Sequence, residues 1–551
     1  MKVARSKIGM VVAAHELAAA AGRRLLEDGA NAVEAAVAVS LALGVVEPFA
    51  SSLGGGGYMM VAPRGQAAET VVLDGRGKLS SLAAEEYIYP NRVMLPWCPK
   101  TGPMSVAVPG LGRMLERALQ KWGAGIPIAR LVRPAIDLAA DGFEVGNVFA
   151  YCSALFEGTV RSSPECARTY FKDGVRYKPG ERLVQKDLAR ALSIVADRGF
   201  EALYTGEIAR AMMAAMNETG PVWGAEDLAN YEVVERKPLW AEIAGHRIAT
   251  NPPPSRGGAG IIQALLRYDT DRITLAPTIR WIFRELHPLI GDPATMDVDL
   301  IRLVEPLDAP QSESAAMNGT SANKPGADSA AQDKPGANTA RADESELDRA
   351  RREKPGQDAP TPGGGTTHFV IVDREGTIVS MSQTIGHFFG SGVMVQGCGI
   401  VMNDDISDME RKPGHPNSIG PGKRSVSNMA PTIVFKGERP RLALGTPGSL
   451  RIFPAMAQVI GNALFESMDL EAAVRAGRIH WEENRYFFEG DIDEAVRERA
   501  KRELDQPVDE RRKQDLFFGG VHGIEVLDDG TIVGVADPRR EGVAEGVKSE
   551  E

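Results

Sequence analysis

The 551-residue sequence predicts a large mixed α/β (α+β) protein. Short β-rich runs alternate with amphipathic helical stretches. Clusters of glycine, proline, asparagine and aspartate punctuate them. With 43% hydrophobic and 25% charged residues the chain can bury a large core, as one big domain or two to three smaller ones.

Ile8 to Ala14 reads as a strand, and about Glu16 to Asp28 as a helix stopped by Gly29. Asn31 caps a second, alanine-rich helix running to Leu43, whose small side chains suit close packing on a sheet. After Pro48, Ser51-Ser52-Leu53-Gly54-Gly55-Gly56-Gly57 leads into the apolar run Tyr58 to Val61. Four consecutive glycines permit backbone approaches that side chains forbid. No lysine in Walker spacing and no helix follows them, so a tight packing turn is expected rather than a phosphate cradle. Val71 to Arg76 reads as a strand ending at an arginine, whose planar fork suits a carboxylate but is more commonly solvated or salt-bridged. From about Gly110 to Leu228 the pattern is helical, with Met114 to Lys121, Ile128 to Asp141 and Leu188 to Arg198 as amphipathic candidates. The proline-rich turn at Asn251 to Gly258 precedes a helix over Ile261 to Tyr268.

Composition shifts after about Pro306. From there to Gly365 the sequence has no aromatic residue, valine or isoleucine, and Lys-Pro-Gly recurs at 324–326, 334–336 and 354–356. Such a tract cannot bury enough apolar surface to offset its ordering entropy, and is expected to be an exposed linker. It ends in Gly363-Gly364-Gly365-Thr366-Thr367-His368-Phe369, the start of a strand. Cleavage of the Gly365–Thr366 bond would leave Thr366 with a free α-amine beside its own hydroxyl. Threonine is a weak nucleophile unless a base sits next to it; an N-terminal amine, titrating at about 7.7–8.0, is one such base. With Arg374-Glu375-Gly376 as a three-residue hairpin loop, Asp373 faces Thr377 and Thr366 falls opposite Thr384, close enough for a hydroxyl–hydroxyl bond. A bulge at Gly376 would slip that register by one. The hairpin alone is first read as an ordinary threonine-rich edge hairpin after a linker.

Beyond it, Asn403 to Asp408 is an acidic loop without EF-hand spacing, read as solvated or as holding an ammonium group. Thr432 to Phe435 and Arg441 to Leu444 form a second hairpin. It ends in Gly445-Thr446-Pro447-Gly448-Ser449, which opens a helix over Leu450 to about Leu464. Backbone N–H groups at such a junction form a concavity for an anion or developing oxyanion; a plain helix start fits the same residues. Ile524 to Leu527 and Thr531 to Val535 are a last strand pair.

The net charge of −11 and the lack of a basic, aromatic-interleaved patch argue against nucleic acid. Cys98, Cys152, Cys166 and Cys398 lie far apart without metal-ligand spacing, so isolated thiols are expected and no metal or cofactor is called for. No apolar stretch reaches the roughly 20 residues of a membrane span, and Met1 to Ala14 lacks a signal-peptide h-region. A cytoplasmic location is the default expectation.

Taken together, the motifs resemble those of the γ-glutamyltranspeptidases, members of the N-terminal nucleophile hydrolases. Gly44-Val45-Val46-Glu47-Pro48 with Ser52 to Tyr58, then Thr366-Thr367-His368-Phe369, Gly445-Thr446-Pro447-Gly448 and Ala536-Asp537-Pro538-Arg539 follow the family's order. The resemblance implies a four-layer αββα sandwich made as an inactive precursor. Self-cleavage between Gly365 and Thr366 would give a large piece, 1–365, and a small piece, 366–551, which stay associated. Residues 1–305 would form the large-piece part of the sandwich, with 306–365 the linker. By the same resemblance, Thr366 attacks a γ-amide, forms an acyl-enzyme and passes the acyl group to water or an amine. Thr384 bonds the nucleophile, and the backbone at Gly448 and Ser449 forms the oxyanion hole. Arg76 and Ser427, with Asn428 beside them, match positions holding the substrate α-carboxylate; Asp408, with Asp405, matches the α-ammonium site. Gly386 stands where the family carries an asparagine, Asp405 replaces a glutamine or glutamate, and Asn428 replaces a serine. The short Asp408–Pro421 loop implies that no lid is present. Glutathione-like γ-glutamyl amides are the implied substrates. The acyl groups of oxamate amidohydrolase or glutaryl-cephalosporin acylase are compatible alternatives, and a non-catalytic binding protein is a third reading.

Overall fold

The structure, a computed structural model, describes residues 2–83, 100–218, 220–306, 364–410, 412 and 414–548. Two seven-stranded antiparallel sheets form its centre. In the first, the order is Val543–Gly546, Met10–Ala13, Gly365–Val372, Ile378–Gly386, Gly56–Ala62, Val71–Asp74, Val234–Arg236. The second runs Val3–Ser6, Ile532–Ala536, His522–Val526, Arg439–Gly445, Thr432–Lys436, His246–Thr250, Leu239–Ile243. The sheets face each other through Gly365–Val372 and Ile378–Gly386 on one side and Arg439–Gly445 on the other. Gly445 touches the His368 ring, an approach that a side chain there would block.

Helices cover both outer faces, completing the expected αββα layering. On the first sheet lie Glu16–Glu27 and Ala32–Val46, with Ile128–Asp141 and Lys186–Arg198 packed outside them. Ala32–Val46 is buried on nearly every side because it is sandwiched between sheet and outer helix, which is why its sequence is apolar all round. Its start is fixed by a capping box: Asn31 accepts from the Val33 and Glu34 amides, and Glu34 accepts back from the Asn31 amide. On the second sheet lie Gly257–Leu266 and Ile452–Phe465, which pack on each other.

Observed elements follow the expected ones closely, with displaced ends. The helix expected from Ile261 starts at Gly257, because Gly257 and Gly258 lie against the backbones of Asn428 and Asn251, where no larger residue fits. The helix expected from Leu450 starts at Ile452, after a 3₁₀ turn over Ser449–Arg451. The four glycines do form a packing turn: Gly54, Gly55, Gly56 and Gly57 meet the carbonyls of Val401, Thr384, Gly75 and Ser382 in turn. Cys152, Cys166 and Cys398 are buried free thiols; Cys98 and residues 307–363 of the 306–365 tract lie outside the described residues. No helix among the described residues is long and apolar enough to cross a membrane.

Candidate active site

The hairpin Gly365–Val372/Ile378–Gly386 sets the site's geometry. Its loop closes as expected, with the Asp373 amide donating to Thr377 and Gly376 left-handed at φ +82°. Val372 pairs with Ile378 and every position back to Thr366 holds register, so Thr366 stands opposite Thr384. The one irregularity lies at the far end: Gly365 pairs with Gly386, skipping Ile385. That bulge turns the chain at the Gly365–Thr366 bond.

Thr384 is the hub of this corner. Its hydroxyl accepts from Thr366 Oγ1 at 2.9 Å and from the Gly386 amide at 2.9 Å, and donates to the Gly365 carbonyl at 2.5 Å. Gln383, beside it, is tied to the Ala32–Val46 helix: its amide donates to the Ser40 carbonyl at 3.0 Å and its oxygen accepts from Ser40 Oγ at 2.5 Å. The threonine pair is therefore mounted on the buried core.

Gly364, Thr366, Thr384, Gly386, His387, Ser427, Asn428, Met429, Ser449, Ile452, Arg76 and Asp408 line one pocket. Gly448 and Ser449 both have positive φ, at +136° and +54°, so the chain turns sharply here before the helix over Ile452–Phe465, and Ser449 lines the pocket while Gly448 lies just behind it in sequence. That loop lies against the residues leading into the strand, since a Cβ at Gly364 would lie 2.9 Å from the Ser449 amide nitrogen. Ser427 Oγ accepts from the Met429 amide at 3.1 Å in an ST turn, and the residue lines the pocket.

Arg76 is almost fully buried, with Nη2 donating to Ser425 Oγ at 2.8 Å and Nη1 3.0 Å from Asp405. Here one expectation needs correction. Asp405 does not reach the pocket: it is fully buried behind Arg76, against Gly77, whose missing side chain makes room for the carboxylate. Burial raises the Asp405 carboxyl to about 6, against the pull of Arg76. The acidic loop as a whole is not solvated, because Asn403, Asp404 and Asp405 have no exposed surface. Asn403 is pinned by its own side chain, which donates to Gly54 and Ala107 and accepts from the Ala107 amide. Asp408 alone of the loop's carboxylates opens to the pocket.

Sequence reading missed His387. It lines the pocket one residue past the strand carrying Thr384, with Nδ1 2.7 Å from Asp404 and 3.3 Å from Ser407 Oγ. Asp404 lifts the imidazole to about 9, so the ring is cationic at neutral pH. Its strand-end position beside a glycine was the available signal; the partner was hidden in a loop expected to be solvated.

Two bonded threonine hydroxyls at a strand start, entered through a run of glycines and set in an αββα sandwich, are the layout of a self-processing amidohydrolase of the N-terminal nucleophile class. The comparisons give the family. The sequence model described as gamma-glutamyltranspeptidase matches residues 18–547, and the chain belongs to that family. A "Glutathione hydrolase proenzyme" of Bacillus subtilis (strain 168) is 32% identical, covering 98% of this chain and 92% of the relative. An "Acylase ACY 1 proenzyme" of Pseudomonas sp. (strain SE83) is 33% identical over 98% and 94% of the two chains. The cephalosporin acylase structure from Bacillus halodurans shares the fold, with a TM-score of 0.83 at 24% identity, covering 100% of this chain and 98% of that one.

Proposed function

We propose that the chain cleaves itself at Gly365–Thr366 and then hydrolyses amides of short, carboxylate-bearing acyl groups of γ-glutamyl size. The observation that carries this is the three-way bonding of Thr384 between Thr366 and the Gly365 carbonyl. In the precursor, Thr366 Oγ1 attacks the Gly365 carbonyl carbon, the C–N bond breaks onto the Thr366 nitrogen, and water hydrolyses the resulting ester. The freed α-amine then serves as the base for the same hydroxyl. In turnover, Thr366 attacks the substrate carbonyl, the Gly448 and Ser449 amides face the oxyanion, and the leaving amine takes the proton. Water, or an amine, releases the acyl group. Arg76 and Ser427, with Asn428 at the wall, are assigned to the acyl carboxylate, and Asp408 to an α-ammonium where there is one; Asp405 acts through Arg76.

γ-Glutamyl amides are the substrate class that the glutathione hydrolase relative supports. An acyl group without the amine is a second reading, favoured by His387 in the pocket wall. Intact mass under denaturing conditions tests the core of the proposal: two species matching 1–365 and 366–551 are expected, and one persistent full-length species from Thr366→Ala. Normal cleavage of Thr366→Ala would end the assignment.

A further inference from the structure

Resting on that reading of the pocket, we propose that His387, held by Asp404, is a built-in cation that selects acyl groups carrying a carboxylate but no α-ammonium. Asp404 grips residue 387 twice, accepting from its backbone amide at 2.8 Å and from its ring at 2.7 Å. Asp404 is fully buried and has no access to substrate; the oxygen that bonds the ring also accepts from Ser407 Oγ at 3.2 Å. The space beside Gly386 is filled by the same carboxylate, so the arrangement depends on a glycine there. Nδ1 is thus committed, and Nε2–H is the ring's remaining donor.

The charges facing the ring are Asp404, Asp408 and, opposing them, Lys100. Asp408 is the one carboxylate among the described residues lining the pocket, and His387 already supplies it with a positive neighbour. A substrate ammonium entering there would meet a like charge and an acid that is already matched. An otherwise identical glutaryl-type acyl group meets neither penalty.

The test is a ratio of kcat/KM at pH 7 for two anilides that differ only in the α-amine, glutaryl and γ-glutamyl p-nitroanilide. Self-cleaved wild type should prefer glutaryl by roughly ten-fold or more, the scale of one partly solvated like-charge contact. His387→Gln should move the ratio roughly ten-fold toward γ-glutamyl, and His387→Lys should keep the wild-type preference. A ratio unchanged in His387→Gln, with both anilides turned over, overturns the role of His387 and leaves the hydrolase reading intact. Turnover of neither anilide by cleaved wild type overturns both. Should His387→Gln fail to mature, inhibition of wild type decides instead: glutarate must bind roughly ten-fold more tightly than L-glutamate, and equal or weaker binding overturns the proposal.

Discussion

At the scale of single residues, one hydroxyl oxygen carries the site. Thr384 Oγ1 takes hydrogen bonds from Thr366 and the Gly386 amide while its own proton rests on the Gly365 carbonyl. In the uncleaved chain that proton lies where negative charge would develop, so its loss should cost what an oxyanion donor costs. Thr384→Ala is expected to slow conversion of precursor to two chains by about 10²–10³-fold, and Thr384→Ser to stay within about ten-fold of wild type. Band conversion on denaturing gels after rapid purification reads both; wild-type cleavage by the alanine variant would remove Thr384 from the mechanism. The Thr366–Thr384 pairing was legible because hairpin register follows from counting residues around a loop. The His387–Asp404 pair was not, since nothing local says that three consecutive polar residues, Asn403 to Asp405, go inside. Burial there is bought by contacts from Gly54, Gly77 and Ala107, hundreds of positions away. Asp537-Pro538-Arg539 is a related case: a motif visible in sequence whose place is a buried ion network, Arg539 with Glu489 and Asp537 with Arg478, none of which lines the pocket, while the next residue, Arg540, reaches the Thr366 carbonyl at 3.5 Å.

At the scale of elements, the glycine turn explains why the strand pair is so exactingly placed. Gly55 meets the carbonyl of Thr384 itself, so a methyl group at 55 pushes on the residue that bonds Thr366. Overpacking of this kind costs about 1–3 kcal/mol, and here it is aimed at the site. Gly55→Ala is expected to lose both stability and self-cleavage. Gly65→Ala provides the contrast: Gly65 sits in an exposed turn at φ +67° with open space around it, so alanine there costs about 1 kcal/mol and leaves cleavage unchanged. Thermal melts and cleavage time courses on the two variants separate these effects; equal cleavage in both would show that the turn does not position Thr384. Elements were more legible than their ends, because periodicity marks a helix but tertiary contacts decide its first turn. Gly257 is the example, reading as loop until the backbone of Asn428 lies against it.

At the scale of the molecule, neither predicted piece holds either seven-stranded sheet by itself. Both sheets combine strands from before residue 365 and after it, Met10–Ala13 pairing with Gly365–Val372 and Val3–Ser6 with Ile532–Ala536. Cleavage therefore cuts one bond in a shared core, and the two pieces should coelute in native buffer and part only on denaturation. The same core buries His287, His368, His480 and His522, all at most 4% exposed. Burial holds all four below the usual histidine range, His480 at about 4 and His522 at about 3, so they are neutral in the fold. The unfolded chain binds protons at these sites once the pH drops below about 6.5, and the folded chain does not until far lower. Stability is then fully present above 6.5 and falls on acidification, with a limiting slope of about 1.4 kcal/mol per pH unit for each histidine. His387 works in the other direction: raised to about 9 by Asp404, it contributes most below 6.5 and loses that contribution as the pH rises through 9. The two effects together place maximum stability near neutrality, with the steeper loss on the acid side, where these four histidines and His15, held by burial at about 4, outweigh His387 and the Asp405 carboxyl, which burial raises to about 6. Urea unfolding at pH 6 in weakly buffered solution should take up protons, read directly by an electrode, and the urea midpoint should fall between pH 7 and pH 5.5. Proton release at pH 6, or a midpoint that rises toward pH 5.5, would show that these histidines are charged in the folded core.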